Sequence, residues 1–505
     1  MAPSVETVRG DLKLVRRAVI LSGLLGGLQT ADPIVASLAL PRAGKALAMT
    51  ASTLALAASI STLCLAATVV WFGAVGDRIG RRKMMYVTTV GTVAGDLIAA
   101  IAPTSPIFMF GRAVAGMCVG GLLATSYPYV RTLSGSDRLG TNLGIWGGLC
   151  GLVALPMSVV SSGLATLNWR LAFLCVPVAA LVCLPLEKRV FPKLPPNQLK
   201  KQLYGVSLAG LGVVGLLFGL SQAADKFVSP VTVGPVVFGI FLVAVAAIVG
   251  LRSSRPAYPV RIFRSPVFLT AALSGVLWNL AMAVAQLQSS NLWQYVDGVD
   301  PFAASLLQMP LMIMFVAGSF VLGRALTKGM GSRGIVASGC LLIAGGLAIL
   351  AVTGATATSA LFNCGLMLLG FGAGAVGVAQ SQILFAEAPG EYVGPVAASR
   401  TTFGQIGYAV GLAGSSVLTT TLTVRSLGTS DARDQLNTFL AANGAQRAID
   451  PALESVHDLV APFYIGGFKT SMVWWGVVFA VGAMACFGLM SMRPNPLDDT
   501  AASTS

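Results

Sequence analysis

The chain has 505 residues, of which 55% are hydrophobic and only 10% are charged. This composition is far too apolar for a soluble globular protein, and the long apolar runs indicate a polytopic membrane protein. A formal charge of +14 could suit nucleic acid. The cations, however, fall in alternate segments between apolar runs, so they report membrane topology and no nucleic-acid partner is expected.

Residue types that build catalytic or metal centres are scarce. The eight cysteines are scattered through apolar runs without a Cys-x-x-Cys pair, and the one histidine, His457, lies in a polar segment. We therefore expect no metal site and no cofactor. Nothing resembles a nucleophile beside a base or a phosphate-binding loop, so the protein is not expected to be an enzyme. The first apolar run, residues 18–40, is long enough to span and shows no signal-peptide cleavage site.

Hydrophobic runs define the domain organisation. Taking about 20 apolar residues as one span, the sequence predicts an all-α protein with fourteen transmembrane helices in a 6+2+6 arrangement. An even number of spans, with the cations mostly on one side, places both termini in the cytoplasm, and Arg112 is expected to be the one cation within a span. The units are a tail (1–17), a six-helix half (18–186), a Pro-rich basic linker (187–203), two extra helices (204–251), a second basic linker (252–266), a second six-helix half (267–492) and a C-terminal tail (493–505). Residues 424–467 form one long outer loop with one or two short amphipathic helices.

A short charged turn, Gly73–Lys83, separates the second and third spans and is called the basic turn below. Its glycines allow helix ends to approach closely, and an aspartate followed by arginines can form a charge network that holds one conformation closed. These features predict a cytoplasmic latch; the alternative is a positive-inside anchor with no gating role. The latch residues are Gly73, Asp77, Arg78, Gly80, Arg81 and Arg82.

The basic turn, in the form G-x-x-x-D-R-x-G-R-[RK], resembles the loop between the second and third helices of the major facilitator superfamily. Over nearly its whole length the chain resembles the fourteen-helix drug:proton antiporter branch, in which Asp32 before Ala39-Leu40-Pro41 corresponds to the first-helix acid and Arg112 to the fourth-helix arginine. The fifth-helix motif departs from that pattern, because Leu155 and the pair Val159-Val160 stand where the family has glycines. The resemblance implies two six-helix halves and alternating access, and it leaves the transport direction and the drug substrate open.

A second basic turn, Gly323–Arg333, follows the tenth predicted span and is a weaker echo of the first. It supports a repeat of two six-helix halves. Thr327 stands where the first turn has its aspartate, so the second turn is expected to close more weakly.

Three ionisable residues fall well inside spans at similar depth: Asp32, Asp96 and Arg112. Each costs roughly 2.5 to 3.5 kcal/mol on insertion scales, so each needs a partner or a water-filled cavity. Arg112 could pair with either acid. The resemblance places the first and fourth helices at the central cavity and the third at the periphery, so we predict an Asp32–Arg112 pair. Asp32 would be the proton-sensitive acid, the alternative being a permanent structural pair, and Asp96 either a second proton site or a structural acid.

The ninth span carries amides, hydroxyls and indoles, several of them at helical spacing on one face. A mostly apolar wall with a few such groups suits an amphiphilic or hydrophobic substrate. Hydrogen bonding between helices is the equally common alternative. The candidate substrate-binding residues are Trp278, Asn279, Gln286, Ser290 and Trp293, with Gln405 and Tyr408 of the thirteenth span.

Together these features predict a secondary transporter of the inner (plasma) membrane that exports hydrophobic or amphiphilic compounds in exchange for protons. Its expected partners are a small substrate, protons and membrane lipids, and a monomer is expected. A lipid or lipid-like metabolite exporter on the same fold is the alternative. A membrane receptor or scaffold that binds without turnover is the hypothesis from a different class.

Overall fold

In the computed structural model of the protein, the regular elements of the described residues are helices. The structure describes residues 11–49, 51–135, 138–192, 203–222, 229–354, 357, 359–388, 392–441 and 450–491. The predicted C-terminal tail and most of the predicted linker 187–203 lie outside the described residues.

The N-terminal half contains six long helices. The first begins after Asp11, whose carboxylate accepts hydrogen bonds from the backbone N–H groups of Lys13 and Leu14 and so caps the helix. A single helical turn, Trp169–Ala172, precedes the sixth helix. The helices are α1 (Leu12–Ala46), α2 (Ala51–Ile79), α3 (Arg81–Ile101), α4 (Ser105–Leu133), α5 (Leu139–Leu167) and α6 (Cys175–Val190).

Two further helices and a second set of six follow. Short helical segments, Leu292–Val296 and Pro301–Leu307, connect the first two helices of the second set. The two extra helices are α7 (Tyr204–Gln222) and α8 (Pro230–Arg252). The second set comprises α9 (Pro266–Asn291), α10 (Met309–Thr327), α11 (Ser332–Thr353), α12 (Ala360–Glu387), α13 (Val393–Leu427) and α14 (Pro451–Ser491).

The helices account for the expected membrane-spanning architecture. Within the described residues, eleven helices are long and apolar enough to cross a membrane, and Tyr204–Leu220 is a shorter apolar one. The set α1 to α14 is consistent with fourteen spans in a 6+2+6 order. The outer segment differs from the expectation, because α14 begins at Pro451 and α13 continues to Leu427. The short amphipathic helix expected between them is Ala432–Ala441.

Small residues bring the helices close together. A Cβ on Gly95 of α3 would lie 2.4 Å from the Ala115 nitrogen of α4, and a Cβ on Gly111 of α4 would lie 2.6 Å from the Ala99 nitrogen of α3. The extra pair α7–α8 packs in the same way, because a Cβ on Gly239 would lie 2.6 Å from the Gly212 carbonyl oxygen. Close backbone approach of this kind is typical of helix packing in membranes.

Candidate functional site

Three buried charged side chains from different helices form one ion cluster: Asp32 (α1), Asp96 (α3) and Arg112 (α4). The Arg112 guanidinium donates to both carboxylate oxygens of Asp32, at 2.6 and 2.9 Å. It also donates to Asp96 Oδ1 at 3.0 Å. All three side chains are no more than 2% exposed. The structure thus contains the predicted Asp32–Arg112 pair. Asp96 also pairs with Arg112, although the resemblance placed the third helix at the periphery, away from this pair.

Neighbouring groups orient the ion cluster. Ser61 of α2 donates to Asp32 Oδ2 at 2.9 Å, and the ring of Phe173 lies 5.5 Å from the Arg112 guanidinium carbon. The glycines that let α3 and α4 approach, Gly95 and Gly111, directly precede Asp96 and Arg112 in the sequence. Close packing of these two helices therefore brings Asp96 to the guanidinium.

The ion cluster holds two carboxyl groups and one guanidinium, so its fully ionised form carries one net negative charge. Asp32 has both oxygens paired, whereas Asp96 Oδ2 is buried without a hydrogen-bond partner among the described residues. An uncompensated charge in such surroundings is costly. A single proton would make the site neutral, and Asp96 Oδ2 is the oxygen left free to carry it in this conformation.

The basic turn brings the end of α2 against the start of α13. The Asp77 carboxylate pairs with Arg81, at 2.8 Å between Arg81 Nη2 and Asp77 Oδ1. A Cβ on Gly394, in the first turn of α13, would lie 2.6 Å from Asp77 Oδ2. The carboxylate thus lies where the partial positive charge of a helix N-terminus is strongest.

Arg81 and the glycines complete this contact. Arg81 Nη1 donates to the Thr132 hydroxyl at 2.6 Å and to the Pro128 carbonyl at 3.2 Å, which ties the turn to the end of α4. A Cβ on Gly73 would lie 3.0 Å from the Gly394 carbonyl oxygen, and Gly80 has a φ of +95° that other residues rarely adopt. Arg82 donates to the Lys188 carbonyl of α6. Gly73 and Asp77 therefore lie against a helix of the other half, whereas Arg81 and Arg82 bond to helices of their own half.

The second basic turn makes the corresponding contact between α10 and α5. Thr327, at the end of α10, accepts hydrogen bonds from the backbone N–H and the hydroxyl of Thr141, both at 2.8 Å. Thr141 lies in the first turn of α5. The neutral Thr327 hydroxyl occupies the position that the Asp77 carboxylate has in the first basic turn. A contact without a charge agrees with the expectation that the second turn closes more weakly.

Arg400 of α13 forms an aromatic cluster with three rings. Its guanidinium carbon lies 5.2 Å from the ring centre of Tyr127, 5.3 Å from Trp146 and 5.6 Å from Trp278. Its Nε donates to the Ser381 hydroxyl at 3.1 Å. Tyr127 and Trp146 belong to the N-terminal half, so this cation bridges the two halves.

Arg400 corrects the expectation that Arg112 is the one cation within a span. Within the described residues, no carboxylate forms a salt bridge with Arg400. The available signal was the run of four polar residues, Ser399-Arg400-Thr401-Thr402, inside a mostly apolar segment. Sequence reasoning missed the aromatic cluster because its three rings come from three different helices.

The candidate substrate-binding residues separate into two groups. Trp278 belongs to the aromatic cluster and donates to Gln380 Oε1 at 3.0 Å. Gln286 accepts a hydrogen bond from the Tyr408 hydroxyl at 3.2 Å, and Gln405 is half-buried on the same helix as Tyr408. Trp278 and Gln286 thus belong to α9, and Gln405 and Tyr408 to α13.

The remaining candidates have local partners. Trp293 is fully buried and donates to the Ala357 carbonyl at 2.9 Å, so it lies in the core of the C-terminal half and not on a cavity wall. Asn279 donates to the Gly275 carbonyl. Ser290 accepts from Gln294. The helical spacing that grouped these residues did not distinguish a cavity face from a packed face.

The fold and the site have the features of a membrane transporter: apolar helices in two sets of six, contacts between the halves at the basic turns, and a buried ion cluster. The Major Facilitator Superfamily model matches residues 21–412. The chain belongs to that superfamily. Its helical fold is similar to that of the human organic anion transporter MFSD10, with a TM-score of 0.60 over 94% of this chain and 99% of the other, at 15% sequence identity.

Curated relatives lie in the same class. The multidrug efflux pump LfrA of Mycolicibacterium smegmatis is 23% identical over 389 residues, which are 76% of each chain. A triacylglyceride transporter of Mycolicibacterium hassiacum is 25% identical over 365 residues, covering 68% of this chain and 67% of that protein. These similarities fit the drug:proton antiporter branch that the sequence resembles.

Proposed function

We propose that the protein exports hydrophobic or amphiphilic compounds across the plasma membrane in exchange for protons, by alternating access. The basic turns lie on the cytoplasmic side, because short cation-rich loops are retained there. The observation that carries the proposal is the ion cluster, in which two acids share one guanidinium without contact with bulk water. A static bundle gains little from so costly a group.

Proton coupling follows from the charge balance of the ion cluster. With Asp32 paired to Arg112, a proton on Asp96 keeps the site neutral. Movement of α1 away from α4 would break the Asp32–Arg112 pair and leave Asp32 uncompensated, so Asp32 would take up a proton in that conformation. Exchange of protons between the two acids and the two sides of the membrane would couple the conformational cycle to the gradient.

The latch and the aromatic cluster control the cytoplasmic opening. Asp77 against Gly394, Thr327 against Thr141 and Arg400 between rings of both halves all join helices that separate when the inner side opens. In the described conformation these contacts are made. The conformation therefore corresponds to a state that is closed on the cytoplasmic side.

The substrate region lies beside the aromatic cluster. Trp278, Gln286, Gln405 and Tyr408 offer indole, amide and phenol groups in apolar surroundings, which suits amphiphilic molecules. The multidrug efflux relative favours a drug-like cargo. The triacylglyceride transporter relative favours the second candidate, a lipid or lipid-like cargo.

Transport by purified protein in liposomes under an imposed pH gradient tests the proposal. We expect gradient-driven movement of a lipophilic cationic dye, with triacylglyceride as the parallel cargo, and loss of that movement in Asp32→Asn. The matched control is Asp458→Asn, because Asp458 is 78% exposed outside the ion cluster. Undiminished pumping by Asp32→Asn would overturn the coupling role. Binding without net movement under any gradient would instead support a receptor.

A further inference from the structure

A cavity of about 340 Å³ lies outside the centre of the transporter, between the extra helices and the bundle. Its walls come from α2, α7, α8 and α13 and from the segment that follows α8. Representative lining residues are Val70, Ala209, Ala247, Tyr258, Thr402 and Phe403. Ala257 and Tyr258 pack with Ala74 and Trp71 near the end of α2, so the cavity lies at the membrane surface that carries the basic turn.

The cavity is almost entirely apolar and only partly enclosed. A space lined in this way does not hold ordered water, and within a membrane the molecules available to fill it are lipids. Four lining residues carry polar side chains, Ser253, Tyr258, Ser399 and Thr402, and Thr402 Oγ1 is buried without a hydrogen-bond partner among the described residues. An ester carbonyl of a lipid could accept a hydrogen bond from this hydroxyl.

Four exposed arginines lie next in sequence to residues that line the cavity, at the end of α8 and in the segment that follows it. Arg252 and Arg255 flank the lining residue Ser253, and Arg261 and Arg264 flank Phe263. All four are exposed. Within the described residues none forms a salt bridge with a carboxylate. Basic clusters at this depth attract anionic lipid headgroups.

We propose that this cavity binds an anionic phospholipid from the leaflet on the side of the basic turn. One acyl chain occupies the space between α7, α8 and α13, and the phosphate lies among Arg252, Arg255, Arg261 and Arg264. The site is separate from the ion cluster and the aromatic cluster. Lipid binding at this site therefore requires neither proton coupling nor a particular transported substrate.

Native mass spectrometry of the full chain tests the proposal with two probes, phosphatidylglycerol and phosphatidylcholine, added separately to detergent-purified protein. We expect the wild type to retain phosphatidylglycerol in preference to phosphatidylcholine. The double variant Ala209→Phe/Ala247→Phe fills the cavity and should lose the retained lipid. Ala244→Phe is its matched control, because Ala244 is exposed on the same helix and does not line the cavity.

A second pair of variants tests the headgroup contact. Arg255→Gln/Arg261→Gln should lower phosphatidylglycerol retention at least roughly fivefold, since each cation near a membrane surface contributes about that factor. Arg16→Gln/Arg17→Gln removes two exposed cations at the start of α1 and should leave retention unchanged. Equal retention of both lipids, or retention unaffected by filling the cavity, would overturn the proposal. Lipid binding that persists in a protein that fails to transport would reject the proposed function alone.

Discussion

The Thr327 hydroxyl accepts a hydrogen bond from the backbone N–H of Thr141 at 2.8 Å, at the N-terminus of α5. The Asp77 carboxylate lies beside the N-terminus of α13, because a Cβ on Gly394 in the first turn of that helix would lie 2.6 Å from Asp77 Oδ2. The two contacts join opposite halves at the same end of the molecule. They differ in charge, and a carboxylate is favoured at a helix N-terminus. The closure at α13 is therefore the stronger of the two.

Thr327→Asp should strengthen the weaker closure. A carboxylate near the N-terminus of α5 is expected to contribute about 0.3 to 1 kcal/mol and so to reduce opening at this end roughly two- to fivefold. Hydrogen–deuterium exchange of the first turns of α5 would measure the change. Thr327→Val, which removes the acceptor, should raise exchange there. Equal exchange in both variants would show that this contact does not help to close the halves.

Substitutions at Arg112 and at Asp96 should lower the stability of the protein by unequal amounts. Arg112→Leu leaves two carboxylates without their cation, and breaking a buried pair in this way costs about 3 to 5 kcal/mol. Asp96→Asn leaves a balanced Asp32–Arg112 pair and should change stability far less. Thermal unfolding in detergent would compare the two variants. If Arg112→Leu and Asp96→Asn had equal melting temperatures, the cluster would not carry the charges described.

Transport by Asp96→Asn provides a separate measurement. Without Asp96 the pair is already neutral, so the variant has lost the group that we propose carries the proton in the described conformation. We expect its transport to respond much less to an imposed pH gradient while substrate binding remains. If Asp96→Asn responded to the gradient as the wild type does, proton coupling would depend on Asp32 and not on Asp96.

Residue count along the helices placed Asp32, Asp96 and Arg112 at similar depth, and the resemblance to the major facilitator superfamily then selected Asp32 as the partner of Arg112. The sequence could not predict how helices are rotated or which faces meet. Asp96 joined the pair through the close packing at Gly95 and Gly111, and Trp293 turned into the core although its spacing matched that of Gln286. Arg400 was missed for the same reason, because the rings around it come from three separate helices.

Arg400→Gln should loosen the closure that we propose for the cytoplasmic side. Cation–π contacts contribute about 0.5 to 2 kcal/mol, and Arg400 faces three rings from both halves. Exchange in the first turns of α13 should rise roughly 2- to 30-fold, the factor that corresponds to this range. Arg400→Lys keeps the charge and should have a smaller effect. If both variants exchange like the wild type, the aromatic cluster does not hold the halves together.

Gly95→Ala tests whether the packing of α3 against α4 positions the ion cluster. A Cβ at this position would lie 2.4 Å from the Ala115 nitrogen, so the two helices must separate and move Asp96 away from Arg112. Overpacking of this kind costs about 1 to 3 kcal/mol, and we expect a lower melting temperature and a weaker response of transport to the pH gradient.

Gly163→Ala is the matched control, because a Cβ on Gly163 meets no atom within 4 Å. There the alanine should leave stability unchanged or raise it, since glycine is the poorer helix former. If the two variants had equal melting temperatures and equal transport, the close packing at Gly95 would not be what positions Asp96 beside Arg112.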